Sequence, residues 1–209
     1  MKTVNLYRYE ELPSEQAKEK ARDWYRHHIQ PDATDWSCIT KLFEEELADL
    51  GYPTEDVSWS LSYCQGDGMA FYGKLIDHKL DTLISRVAKE NKKMRHLWFK
   101  KIRKWFADCD FALIIERNHY GYRYSHYNTM SVWVDIKSYG LNRAQEKNLE
   151  LFAEWLESII RADVKQVSKS LERLGYDEIE RLSSDEEVEE ALNSFDYYFN
   201  EYGTTSIAS

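Results

Sequence analysis

The sharpest local phrase in this 209-residue chain is Tyr63-Cys64-Gln65-Gly66-Asp67-Gly68-Met69-Ala70-Phe71-Tyr72-Gly73. In it Gln65 and Asp67 can present a polar site at a hairpin tip. A tight turn whose Asp bonds its own backbone uses the same residues, and turn chemistry is the simpler reading. The phrase is not a phosphate loop, because it lacks the Gly-Lys-Ser/Thr ending and the helix that follows one. His119 and His126 flank a second turn, but no third ligand stands at metal-site spacing. His27 and His28 lie at a helix end, where the dipole favours imidazole. No Gly-x-Ser-x-Gly, His-Glu-x-x-His or dinucleotide fingerprint occurs. The expectation is therefore no catalytic residue, no cofactor and no metal, leaning away from an enzyme. A small hydrolase or nuclease with a dispersed carboxylate site needs no local motif and stands as a further alternative.

Charge is more informative than motif. The formal net charge is −9, but segment 86–104 holds nine Lys or Arg against Glu90 alone, +8, and segment 163–209 holds four against twelve acids, −8. A basic helix neutralises phosphates, which makes Lys92, Lys93, Lys100 and Lys101 nucleic-acid candidates, with Trp98 and Trp105 as stacking partners or core residues. Glu44, Glu45, Glu46 and Asp49 form one acidic group. Asp185, Glu186, Glu187, Glu189 and Glu190 form another. Carboxylates at such spacing on helices imitate a phosphate backbone and fit a cationic groove on a partner. They also serve solubility and the N-terminal dipole of a helix, or face the basic segment within one molecule.

The elements that position these residues follow from periodicity. Ser14 caps a helix ending near His28, and Ile39, Leu42, Phe43, Leu47 and Leu50 give a second helix that stops at Gly51. Residues 57–63 alternate apolar and polar, and with 69–76 they read as a hairpin around Gly66-Asp67-Gly68. Helical spacing returns over 78–108. Phe111 to Tyr120 and His126 to Lys137 make a second hairpin, with Tyr120, Tyr122, Tyr124 and Tyr127 near its turn as interface or core residues. Steps of three and four from Leu149 to Leu174, persisting until Gly175, predict a long helix over 142–174, or two with a break near Asp163. Ser184-Asp-Glu-Glu187 is a capping box for a short acidic helix. Phe195 to Tyr202 reads as an edge strand or as the last turns of that helix. The fold class expected is α+β: a small antiparallel sheet of two hairpins with five to six helices, as a single domain over 1–203 and a polar tail over 204–209.

Composition agrees. Aromatics reach 14%, with 15 Tyr and 7 Trp, whereas only 8 Gly and 3 Pro leave little material for linkers. Cys38, Cys64 and Cys109 are odd in number and widely spaced, so free thiols in a reducing cytoplasm are expected. No apolar run has the length of a membrane span.

Three stretches resemble a group of small bacteriophage and prophage proteins, mostly without an assigned activity. They are Tyr9 to Arg22, the hairpin Trp59 to Gly73 centred on Gln65-Gly66-Asp67-Gly68, and Leu182 to Phe199 with its Ser-Asp-Glu helix. Arg181-Leu182-Ser183 and Glu201-Tyr202-Gly203 depart from that group's commoner Tyr-Leu-Thr and Glu-Asp-Gly. The resemblance implies an accessory gene in a bacterial host and carries no catalytic residues. The leading expectation is a phage accessory factor that docks on a host or defence protein, as an anti-CRISPR or other anti-defence inhibitor does. A nucleic-acid-binding regulator using the 86–104 helix is the alternative.

Overall fold

Alternation of side chains at period two dictates which residues of the sheet meet. The computed structural model describes residues 5–90, 109–119 and 123–205. Its strands are β1 (Asp56–Ser60), β2 (Gly68–Ile76), β3 (Cys109–Arg117) and β4 (Met130–Ser138), joined antiparallel in the order β1-β2-β3-β4. Val57 pairs with Phe71, Leu75 with Leu113, Leu113 with Val134 and Ile115 with Val132. One face of the sheet therefore carries all of these apolar residues, as the pleat requires. The fold is α+β, with six helices among the described residues, one of them long.

The chain divides into two compact units, a central one of Ile39–Gly175 and a terminal one of Met1–Cys38 with Tyr176–Ser209. In the central unit α3 (Ser37–Leu50, counted from Ile39), α4 (Asp77–Glu90) and most of α5 (Arg143–Leu182) accompany the sheet. Leu149, Phe152, Leu156, Ile160, Val164, Val167 and Leu171 are buried along α5, which is the apolar stripe of a helix packed on one side. The helix also covers the free edge of β4. Val134 N–H donates to Glu157 Oε1 at 2.9 Å, and Arg161 donates to the Val132 carbonyl at 3.1 Å. Both backbone groups would otherwise be open to another strand.

Helix α5 is continuous through Asp163 and runs eight residues past 174. Asp163 has a different task. Its carboxylate accepts from the Tyr52 hydroxyl and from Arg86, each at 2.6 Å, while Arg86 also donates to the Leu50 carbonyl at 2.9 Å. Burial and the adjacent carboxylate push the Tyr52 hydroxyl well above its ordinary pKa. Gly175 does not end the helix either. A Cβ there would lie 2.5 Å from Leu61 Cδ1 and 2.7 Å from Phe43 Cζ, so glycine permits close approach.

In the terminal unit Ser14 caps α1 (Glu15–His28) by accepting from Ala17 N–H at 3.2 Å, and Ser184 caps α6 (Asp185–Ser194). A short α2 (Gln30–Ala33) follows α1. Tyr9, Leu12, Ala17, Ala21, Tyr25, Val188, Leu192 and Phe199 form the core. Residues 195–202 make neither a full strand nor a helix end: Phe199 forms single bridges to Tyr7 and Thr205. Likewise the expected fourth strand starts at Met130 and not at His126, because Tyr127–Thr129 is a 3-10 turn capped by the His126 imidazole. No helix among the described residues is long and apolar enough to cross a membrane.

Gly175 separates two contributions of opposite sign. Helix propensity alone makes Gly175→Ala stabilising by about 1 kcal/mol, whereas overpacking against Phe43 costs about 1–3 kcal/mol. Phe43 is fully buried and has no room to retreat, so a lowered thermal midpoint is expected; a raised one would refute the packing account.

Candidate binding surfaces

In the terminal unit the guanidinium of Arg22 gathers groups from both ends of the chain. Its side chain is only 9% exposed, and it donates to the Tyr9 hydroxyl and Glu15 at 3.0 Å and to Glu189 at 2.7 Å. Tyr9 in turn donates to the same Glu189 oxygen at 2.7 Å. Arg22 Nε lies 3.5 Å from Asp185, and Arg26 also pairs with Asp185 while donating to the Ser183 carbonyl. Burial, then the bond to Glu189, pushes the Tyr9 hydroxyl up to about 12. The hydrogen bond from Tyr9, helped by Arg22, holds Glu189 below the ordinary carboxylate range; the bond from Arg26 does so for Asp185.

This network sorts the acidic candidates. Asp185 and Glu189 are bound to Arg22 and Arg26, and Glu187 is bound to Arg181. Glu186 and Glu190 are exposed and have no ion pair among the described residues. Glu45, Glu46 and Asp49 are exposed on α3, with Glu44 half-buried beside them. Net charge divides sharply between the units. The terminal unit holds seven Lys or Arg against seventeen Asp or Glu, a balance of −10, whereas the central unit holds twenty-one against twenty, +1. Exposed aromatic residues lie in the terminal unit too: Phe195 is 59% exposed, Tyr198 45% and Tyr202 63%.

The central unit presents a second surface where its two hairpins meet. Asp67 accepts from the backbone N–H of Ser62 and Cys64, both at 2.7 Å, and from the Ser60 hydroxyl at 2.9 Å. Its carboxylate thus organises the turn, as an Asx-type bond does. The flanking glycines are required for close approach. A Cβ on Gly66 would lie 2.6 Å from the Tyr124 ring, and one on Gly68 2.8 Å from the Ser125 carbonyl. Gln65 is exposed beside them. The segment lying over the glycines is aromatic: Tyr124 stacks on His126, and His126 meets Tyr127. His126 Nδ1 accepts from Asn128 N–H at 3.1 Å, which leaves Nε2 to carry the proton of the neutral ring. Lys165 and Lys169 of α5 approach the Tyr127 ring at 4.6 and 5.0 Å.

Sequence reasoning named Gln65, Asp67, Tyr124 and Tyr127 of this surface but missed Lys165 and Lys169, which lie one turn apart within a segment whose total charge is negative. Their i,i+4 spacing was the available signal. Lys92, Lys93, Lys100, Lys101, Trp98, Trp105, Tyr120 and Tyr122 lie outside the described residues. Among the described residues no three His, Cys, Asp or Glu converge as a metal site. An open cleft of about 330 Å³ is lined by Tyr52, Pro53, Thr54 and Glu55 with Leu75 and Lys79.

A family model described as a domain of unknown function (DUF8835) matches residues 36–194. The chain belongs to that family. The match takes in the whole central unit and, from the terminal unit, α6 without α1. No curated protein and no solved structure matches the chain.

The Arg22 network has a defined pH dependence. Glu189 and Asp185 have folded pKa values below their ordinary ones, so the unfolded chain binds more protons in acid. Their contribution is complete above the ordinary carboxylate range and is lost as pH falls through the folded values. Glu189→Gln is expected to unfold at a lower temperature at neutral pH, and the gap from the native protein should shrink below about pH 4. Thermal unfolding across that range checks this; a gap independent of pH would contradict it.

Proposed function

We propose that this protein is a binding protein and not an enzyme, an accessory factor that docks its acidic terminal unit on a cationic groove of a host or defence protein. The observation that carries this reading is the charge division: the terminal unit, with a balance of −10, accounts for all of the net negative charge. A concentrated field of one sign steers encounter and excludes partners of like sign. Glu186 and Glu190 supply carboxylates that need not break an internal ion pair in order to bind. Tyr198, Tyr202 and Phe195 add the large contact area that interface cores favour. The resemblance to phage-borne accessory proteins supports a bacterial partner, with an inhibitor of a defence protein as the specific form.

The experiment is affinity capture from nuclease-treated bacterial lysate, with and without Glu186→Lys and Glu190→Lys. One dominant stoichiometric protein, released by salt and absent with the double variant, is the expected result. Retention of that protein by the folded double variant would overturn the acidic docking face. Reversal of Asp185 or Glu189 is a different perturbation, because each change places a cation against Arg22 and should lower stability itself.

A further inference from the structure

We infer that the hairpin tip of the central unit binds single-stranded nucleic acid, with phosphates on Lys165 and Lys169 and a base on Tyr124. This site is separate from the acidic docking face and does not rest on it.

Two cations share one aromatic ring here. Lys165 and Lys169 are exposed, stand one helical turn apart on α5, and form no ion pair among the described residues. The π-face of Tyr127 offsets only part of their mutual repulsion, since an exposed cation–π contact is worth about 0.5–1 kcal/mol. An anion placed between the two ammonium groups relieves the remainder. His126 adds a proton-bearing Nε2 beside the same ring. Asp67, at the tip of the first hairpin, accepts from Ser60, Ser62 and Cys64.

The aromatic neighbours choose among anions. Tyr124 is 43% exposed and stacks on His126 with an interplanar angle of 24°. An acidic peptide offers carboxylates but no planar ring to continue such a stack, whereas an unpaired base offers one next to each phosphate. A duplex keeps its bases stacked internally, so the single strand is the fitting form. The platform is also preorganised. Gly66 and Gly68 admit the 124–126 segment, the Ser125 and Ser58 hydroxyls bond at 2.8 Å, and buried Thr129 donates to the His126 carbonyl at 2.7 Å. Ordering the site on binding therefore costs little. The charges of the central unit nearly cancel, so its own field does not oppose a phosphate chain.

Fluorescence anisotropy of the full chain with a short labelled single strand of mixed sequence, titrated over a range of salt, tests this. Removal of two phosphate contacts lowers the slope of log K on log salt by about 1.4, at ~0.7 per contact. Lys165→Ala with Lys169→Ala should show that loss, and Lys165→Arg with Lys169→Arg should keep the native slope. Tyr124→Ala should weaken binding about tenfold and leave the slope unchanged. The inference is overturned if the native protein does not bind at low salt, or if the alanine pair leaves the slope intact. It is equally overturned if only Lys92, Lys93, Lys100 and Lys101→Ala abolish binding, which would assign the activity to the basic segment.

Discussion

The terminal unit depends on one buried cation. Its two chain segments are separated by more than a hundred residues, and Arg22 is the buried group at the centre of the bonds that join them, with Tyr9 and Glu15 on one side and Asp185 and Glu189 on the other. A guanidinium taken out of water is costly unless its donors are met, and here Tyr9, Glu15 and Glu189 meet the two terminal nitrogens, while buried Nε has only the Asp185 carboxylate 3.5 Å away. The apolar contacts of Tyr25, Val188, Leu192 and Phe199 add stability without fixing orientation. The planar fork of Arg22 adds that orientation, and in doing so it determines which acids of α6 remain for anything else. Two faces of one short helix thus acquire different duties. Asp185 and Glu189 hold the fold, and Glu186 and Glu190 face water.

The central unit uses polar groups in a comparable way at its margins. Glu157 and Arg161 close the edge of β4, Asp163 holds Arg86 and Tyr52, and Asp67 holds the tip of the first hairpin. Each bonds backbone or ionised groups that would be expensive to leave unpaired. Charged residues that a count would assign to the surface are therefore part of the framework. Arg86 is the clearest case, since it belongs by sequence to the basic run yet is bound to a carboxylate of α5. The groups left over, Lys165 and Lys169 at the tip and the exposed acids of α3 and α6, are the ones on which the proposed partner contacts rest.

Much of this was legible in the sequence because it is written at short range. Strand alternation in 57–60 and 130–137, the helical steps from Leu149 onward, and the Ser14 and Ser184 caps each depend on neighbours a few residues away, and the α+β sheet with its long helix follows from them. The alternation runs on to Tyr63, but the strand ends at Ser60, where the turn held by Asp67 begins. The turn role of Asp67 was equally local. What could not be read depends on distant partners. Gly175 looks like a helix stop until Phe43 and Leu61 are placed beside it. The acidic run of α6 looks uniform until Arg22 and Arg26, some 160 residues earlier, divide it. Tyr127 and Lys165 show no relation in the sequence, and only the packing of residues 124–127 against the first hairpin and α5 brings the two side chains together.

The central claim is that the acidic terminal unit is the face presented to a protein partner. Hydrogen–deuterium exchange of the captured complex against the free protein measures this directly. The account predicts new protection over residues 185–205, with the 58–72 hairpin unchanged. Protection confined to the central unit, with 185–205 exchanging as in the free protein, would contradict it.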